Sequence, residues 1–149
     1  MNFKFSNMLF FLIFTGLILV YFFSLPFTKH NRYTLYFLNL RTKEVGTEAR
    51  YVLKTGSMSR EVQLVQELVL GPMNHDFYDY VEKGTSYDSC FVDGKTLYVS
   101  FPKSVLTDIQ TKMSFETFYE LFKKNVFSNF SNITEVCMFL DGVQVYSEQ

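Results

Sequence analysis

The sequence has little that would support nucleic-acid binding or a multidomain organisation. Its 149 residues include no tryptophan and only three prolines, and 14 Lys and Arg residues are balanced by 15 Asp and Glu, which gives a net charge of −1. Because nucleic-acid binding relies on clustered basic side chains that displace counterions, this near neutrality argues against such a partner. No charge run, Pro-rich stretch or low-complexity linker follows residue 32, so residues 33–149 are expected to form one domain.

Residues that bind metals or perform catalysis are also scarce. The only His and Cys residues are dispersed, with none within four positions of another: His30, His75, Cys90 and Cys137. A zinc site needs closely spaced ligands, so none is expected. His75 precedes Asp76, with Ser86 downstream, but no nucleophile motif accompanies them, and a solvated loop histidine is favoured over a catalytic triad. We therefore expect a protein that is not an enzyme, with no catalytic residue, metal or cofactor.

The two cysteines raise the question of a disulfide, which an exported domain would tolerate. If Asp93-Gly94 forms a two-residue turn, Cys90 lies opposite Leu97 on the core side of a hairpin. Cys137 alternates with core residues such as Val136 and is expected on the other side of a later strand. Because side chains on opposite faces of a sheet cannot be bridged, two free, packed thiols are expected.

One long apolar run is present, from Met8 to Leu25, and no comparable second run follows it. As a helix, these residues would span roughly 27 Å, close to the hydrocarbon thickness of a bilayer. The run predicts a transmembrane anchor over 8–25 that binds the lipid bilayer, preceded by a short cytoplasmic head (1–7) and followed by a linker (26–32). The alternative is a cleaved signal peptide, which is disfavoured because the run is long and no Ala-x-Ala pattern or cysteine follows it.

The charges that flank the apolar run do not decide its orientation. Lys4 precedes it, and Lys29 and Arg32 follow it, so the excess of basic residues is similar on both sides. A short head before an apolar run is, however, the ordinary arrangement of a signal-anchor. The sequence therefore predicts a single-pass protein of the inner membrane with its C-terminal domain extracytoplasmic or periplasmic.

The alternation of apolar and polar residues predicts two helices and six strands. Ser59 offers a helix N-cap and Gly71-Pro72 a stop, and a second helix with an aromatic stripe is predicted over 114–129. Asp93-Gly94 and Asp141-Gly142 predict two-residue hairpin turns. The strands are predicted over 33–40, 49–55, 86–92, 95–101, 133–140 and 143–146. This order, ββαββαββ, predicts an α+β domain with both helices packed on one face of a mixed or antiparallel sheet.

Several short motifs in this order resemble one known family. The first helix ends in Leu68-Val-Leu-Gly71-Pro72, and Lys83-Gly84-Thr85 precedes the first hairpin. The aromatic helix, Ile133-x-x-Val136 and Leu140-Asp141-Gly142 follow. Together these motifs resemble the GerMN (sporulation and germination) domain, in a single copy over about residues 33–147.

The resemblance implies a small domain of the bacterial cell envelope that assembles with other proteins or with the cell wall, and it implies no catalytic residues. We expect a membrane-tethered, extracytoplasmic interaction module whose protein partners the sequence does not identify. The alternative function is binding of the glycan strands of peptidoglycan. Four tyrosines could form a contact surface for either, although packing of these rings beneath a loop is the alternative that we favour: Tyr78, Tyr80, Tyr87 and Tyr98.

Overall fold

The computed structural model describes residues 3–24, 29–107 and 113–145. Its helices and strands are, in chain order, α1 (Phe3–Ser24), β1 (His30–Leu38), β2 (Val45–Leu53), α2 (Arg60–Leu70), β3 (Ser89–Asp93), β4 (Thr96–Phe101), α3 (Phe115–Asn129), β5 (Glu135–Leu140) and β6 (Val143–Val145). The α+β class predicted from the sequence is therefore confirmed.

The predicted transmembrane anchor is wrong. A membrane crossing requires a helix that is both long enough and continuously apolar across the hydrocarbon. Within residues 3–24, 29–107 and 113–145, no helix meets that requirement. The predicted start of the anchor, Met8, lies in α1, whereas its predicted end, Leu25, falls outside the described residues.

The first two strands form an antiparallel ribbon, which we call the ribbon. Its register runs without a bulge from His30 opposite Leu53 to Leu38 opposite Val45. Residues 31, 33, 35 and 37 of β1 point to the inner face and are buried, whereas β2 has exposed side chains at 45, 47, 49, 51 and 53 on the outer face. The sequence predicts this strand over 49–55 because the segment before it is polar and contains Gly46, whereas the strand runs from Val45 to Leu53.

The other four strands form a separate mixed sheet, which we call the sheet. Its order is β3-β4-β5-β6, with β4 and β5 parallel and the outer pairs antiparallel. The prediction of one sheet beneath two helices is therefore wrong, because β1 and β2 pair only with each other within the described residues. The core lies between the ribbon, the sheet and the two helices: α3 packs against β1, and α2 packs against β1 and β3.

Local signals placed the two helices of the domain correctly. The Ser59 hydroxyl accepts a hydrogen bond from the backbone N–H of Val62, and Gly71, with φ of 84°, ends α2. Ser114 caps α3 in the same way through the N–H of Thr117. Each cap satisfies a backbone donor that would otherwise lack a partner in the first helical turn.

The two hairpin turns differ from each other. Asp141 and Gly142 both have positive φ and connect Leu140 to Val143, which is the expected type I′ geometry. At the first hairpin, Asp93 pairs with Thr96, so the turn centres on Gly94-Lys95 and not on Asp93-Gly94. The register therefore shifts by two residues, and Cys90 lies opposite Val99, still on the core face. The predicted end of the last strand, at 146, lies outside the described residues.

Candidate functional site

The four tyrosines singled out from the sequence do not form one surface. Tyr80 is only 2% exposed; its hydroxyl donates to the Tyr36 carbonyl at 2.8 Å and accepts from the Asn125 amide at 2.7 Å. Burial raises the pKa of Tyr80 well above its ordinary value. Tyr87 is half-buried against the core, and burial raises its pKa too. Both side chains therefore serve packing.

Tyr98 and Tyr78 are partly accessible and lie on different parts of the domain. Tyr98 stacks on Phe91 across β3 and β4, with ring centroids 5.1 Å apart, on the face of the sheet away from the core. Tyr78 lies in the loop after α2, with the Lys43 ammonium 4.4 Å from its ring centroid. Tyr78 and Tyr87 both line cavities with polar walls, but the Tyr78 cavity includes charged side chains, so Tyr78 is the one that suits a small polar ligand.

That cavity, which we call the loop cavity, has a volume of about 290 Å³. Its lining mixes apolar and polar side chains: Leu40, Pro72, Asn74, His75, Phe77, Tyr78, Asp79 and Lys83. The histidine of the rejected triad therefore lies here, whereas Ser86 lines a different cavity beside Val69 and Leu70. The structure does not bring the components of a triad together.

The motif residues of α2 and its C-terminal turn have structural roles. Leu68 is buried in the core, and Gly71 has φ of 84° and ψ of 177°, a conformation that is essentially confined to glycine. A Cβ atom on Gly71 would clash with the Asp79 Oδ1 atom. The glycine therefore lets the chain leave the helix close to the loop cavity, and Pro72 lines that cavity.

The remaining motif residues hold turns and packing. Gly84 has φ of 96°, and the Thr85 N–H donates to the Glu82 carbonyl at 3.0 Å in the same turn. Val136 is buried on the core face of β5, and Asp141-Gly142 forms the hairpin turn described above.

A buried guanidinium that the sequence analysis missed joins the ribbon to α2. Arg50 pairs with Glu48, donates to the Glu67 carboxylate at 3.0 Å and donates to the Gly71 carbonyl at 3.0 Å. The Glu48 carboxylate also accepts from the backbone N–H groups of Met73 and Asn74. Burial alone would raise the pKa of Glu48, but Arg50 and these N–H donors outweigh it and hold the pKa below its ordinary value.

Two asparagines of α3 cover the edge of β1 that faces away from β2. The Asn125 side chain accepts from the Tyr36 N–H at 2.8 Å and donates to the Tyr36 carbonyl at 3.0 Å. One turn later, Asn129 makes the same pair of bonds to Thr34, at 2.9 and 2.8 Å. Each side-chain amide thus takes the place of the peptide group that a neighbouring strand would supply.

The opposite edge of the ribbon is open. Because the backbones of Thr34 and Tyr36 point away from β2, their partners Ala49 and Thr47 point away from β1, as does Tyr51. Among the described residues, no strand and no side chain hydrogen-bonds to the outward backbone groups of these three residues. We call this the β2 edge. It is the longest unpaired stretch of strand in the described fold.

The side chains beside the β2 edge are apolar and accessible. Tyr51 is 66% exposed, Leu53 is 53% exposed and Val45 is 45% exposed. Val45 also borders an open cavity of about 510 Å³ against α3, which we call the α3 groove, with the lining Val45, Glu116, Thr117, Glu120, Leu121 and Lys124. An apolar ribbon face beside an amphipathic groove suits contact with another protein better than catalysis.

Burial disfavours the thiolate form of both cysteines. Burial raises the pKa of the Cys90 thiol to about 12, and burial and Glu135 raise that of Cys137. Both thiols are free and lie on opposite faces of the sheet, because Cys90 is opposite Val99 while Cys137 is opposite Tyr98. Within the described residues, no cluster of three or more His, Cys, Asp or Glu side chains could hold a metal ion.

The chain is similar in sequence to one curated protein. No family model matches the chain. Over 87 residues it is 36% identical to an uncharacterized lipoprotein of Treponema pallidum (strain Nichols); the match covers 58% of this chain and 63% of the relative, so the chain spans less than two thirds of that relative's length.

Solved structures of the sporulation protein GerM from Bacillus subtilis are also similar to the chain. Its tandem GerMN domains match with a TM-score of 0.58 at 15% identity, over 78% of this chain and 41% of that one. Its first GerMN domain matches with a TM-score of 0.56 at 15% identity, over 77% and 86%. The chain therefore has a GerMN-like fold, as the resemblance predicted, whereas a single membrane-anchored copy is not confirmed.

Proposed function

Starting from this GerMN-like fold, we propose that the chain is a non-catalytic interaction domain of an extracytoplasmic, envelope-associated protein, and that it binds protein partners through the β2 edge. The name of the Treponema relative, a lipoprotein, supports the location, and the sporulation protein with the same fold is consistent with it. The single observation that carries the binding mode is the outward edge of the nine-residue strand β2, which has no neighbouring strand among the described residues.

An unpaired strand presents a row of N–H and C=O groups that another chain can join. Proteins that avoid such pairing use short edge strands, Lys, Pro or bulges on the edge. β2 has none of these: it is nine residues long, contains no Lys or Pro, and pairs with β1 without a bulge. Its two charged residues, Glu48 and Arg50, point inward, which is itself a protective feature of some edge strands, but here both charges are satisfied by ion pairs with Glu67 and with each other.

The other strand edges of the described fold are protected. β3 and β6, at the edges of the sheet, have only five and three residues, and α2 packs against β3. The outward edge of β1 is covered by Asn125 and Asn129. The described fold thus leaves one edge available for a partner strand.

A charge placed on the β2 edge tests this binding mode. The full chain, cross-linked in intact cells and purified, is compared with the variants Ala49→Lys and Ser89→Lys. Ala49 is exposed on the β2 edge, and Ser89 is exposed at the start of β3. We expect Ala49→Lys to lower the yield of cross-linked partner at least about tenfold, because a buried lysine opposes strand pairing, and Ser89→Lys to leave it unchanged. Equal yields from both variants would overturn the proposal.

The loop cavity supports a second candidate function, glycan binding. The Tyr78 ring offers a stacking surface, and Asp79, Asn74 and Lys83 offer hydrogen bonds to sugar hydroxyls. The test is sedimentation of the full chain with purified, protein-free sacculi. Retention that Tyr78→Ala abolishes and Ala49→Lys preserves would favour glycan binding over the interaction domain. Absence of retention, together with the expected effect of Ala49→Lys on the cross-linked partner, would favour the interaction domain.

A further inference from the structure

The β2 edge is complementary to itself, and this identifies a partner. We propose that a second copy of this chain pairs with it, β2 against β2 in antiparallel orientation, with the two-fold axis at Ala49. This inference rests on the proposed function and narrows it to one occupant of the edge.

The backbone groups of β2 permit this pairing. In an antiparallel pair, residues whose N–H and C=O groups point to each other must lie opposite one another. Thr47, Ala49 and Tyr51 all point outward, so pairing about Ala49 sets Ala49 opposite Ala49 and Thr47 opposite Tyr51. Ala49 is also the central residue of Val45–Leu53, so this register places every residue of the strand opposite a strand residue of the second copy, with the Leu53 carbonyl already bonded to Gln63. A shift by two residues leaves strand residues without a residue opposite them.

The exposed side chains match across the axis. On the outer face, Val45 lies opposite Leu53 of the second copy and Thr47 lies opposite Tyr51, with two small alanines at the centre. Pairs of apolar, β-branched and aromatic residues stabilise neighbouring strands, and no like charges meet. The two outer faces would merge into one continuous face, in which the exposed side chains of β2 contact those of the second copy across the seam.

The buried charges match as well. In the same register, Glu48 of one copy lies opposite Arg50 of the other on the inner face, twice by symmetry. Arg50 is 6% exposed, and its Nε atom is the buried side-chain donor that the described residues leave without an acceptor. A second carboxylate at this position supplies an acceptor beside that guanidinium, which is the expected use of a buried unpaired donor.

Engineered cysteines test the pairing and its register in the full chain under mild oxidation. In the proposed register, the Cα atoms of the two Ala49 residues are about 5.5 Å apart, within the range of a disulfide. The two Tyr51 residues are roughly 14 Å apart, because four residues at about 3.4 Å each separate them along the strands. Ala49→Cys should therefore form a disulfide-linked dimer, and the yield of this dimer should be at least about tenfold lower for Tyr51→Cys.

The double variant Thr47→Cys with Tyr51→Cys restores a matched pair and should cross-link like Ala49→Cys. All variants retain Cys90 and Cys137, so these thiols contribute equally, and circular dichroism verifies that each variant is folded. Equal cross-linking of Ala49→Cys and Tyr51→Cys would overturn the register. If no variant cross-links, the second copy is excluded; sensitivity of partner capture to Ala49→Lys would then still support the proposed function, and its absence would remove both.

Discussion

The ribbon and the sheet are stabilised by different kinds of contact. All four buried polar or charged side chains of the described residues lie on the ribbon or bind it: Asn31, Arg50, Gln63 and Asn125. Gln63 of α2 accepts from Asn31 and Tyr33 and donates to the Leu53 carbonyl at 2.7 Å. The core face of the sheet, in contrast, is apolar, with Leu97, Val99 and Met138 fully buried.

The difference shows how one edge of the ribbon stays open. Apolar contacts are non-directional, whereas hydrogen bonds fix the position of each partner. The polar contacts attach the inner face of the ribbon, the outward edge of β1 and the Leu53 end of β2 to α2 and α3. Within the described residues, the outward backbone groups of Thr47, Ala49 and Tyr51 stay open. Substitutions that remove these polar contacts should therefore lower the free energy of unfolding more than matched substitutions in the sheet.

The largest effect is expected from Arg50→Met. The substitution removes the partner of two buried carboxylates, Glu48 and Glu67, and should lower the free energy of unfolding by about 3–5 kcal/mol. Urea unfolding of the full chain measures it. Arg32→Met, an exposed arginine on the same ribbon, is the control and should change stability by less than about 0.5 kcal/mol. Similar values for both variants would show that the buried pair does not hold the ribbon.

A somewhat smaller loss is expected from Asn125→Ala. The variant leaves the Tyr36 N–H without an acceptor and removes the donor to the Tyr80 hydroxyl, and we expect urea unfolding to show a loss of about 3 kcal/mol. Asn132→Ala, on an exposed asparagine just after α3, should have almost no effect. If Asn125→Ala is as stable as the unchanged chain, the Asn125 side chain does not replace the hydrogen bonds of a neighbouring strand beside β1.

The decrease in the free energy of unfolding at acidic pH should depend on Glu48. Its pKa in the folded chain is lowered, so its contribution is present above the ordinary carboxyl pKa and is lost as the pH falls through the folded value. Glu48→Gln should therefore flatten the decline of stability below pH 4.5. Glu116→Gln, an exposed carboxyl on α3, is the matched control. A decline that is equally steep in the Glu48 variant would contradict the assignment.

The smallest change in the free energy of unfolding is expected from Phe91→Ala, on the face of the sheet that points away from the core. Phe91 is 52% exposed and stacks on Tyr98, so Phe91→Ala should cost only about 0.5–1 kcal/mol in urea unfolding. Val99→Ala, on the buried face of the same hairpin, should cost more, about 2 kcal/mol. A loss for Phe91→Ala as large as that for Arg50→Met would erase the contrast between the two regions.

Local signals predicted most of the elements, and long-range contacts explain the rest. Ser59, Gly71 and the aromatic stripe of α3 define helices because their signals lie within a few residues. Asn125 and Asn129, by contrast, appear in the sequence as polar positions of an amphipathic helix. Their role depends on backbone groups about 90 residues away, which no local pattern can specify.

The candidate site was difficult to predict for the same reason. The β2 edge begins with Val45-Gly-Thr, which resembles a polar loop, and its importance follows only from the splitting of six strands into a ribbon and a sheet. The sequence indicates four tyrosines as a possible contact surface because tyrosine is common at protein interfaces. Tyr80 shows that residue type alone does not determine exposure, since its ring is enclosed by Phe37 and Phe118.

Residue-resolved amide hydrogen exchange across a dilution series of the full chain tests the central claim most directly. The N–H groups of Gly46, Glu48 and Arg50 face β1 and should remain protected at every concentration. Those of Thr47, Ala49 and Tyr51 should be protected when the chain is concentrated and should lose protection at least about tenfold on dilution. Fast exchange of these three amides at every concentration, both alone and in the presence of cross-linked envelope partners, would contradict the claim that the β2 edge pairs with another strand.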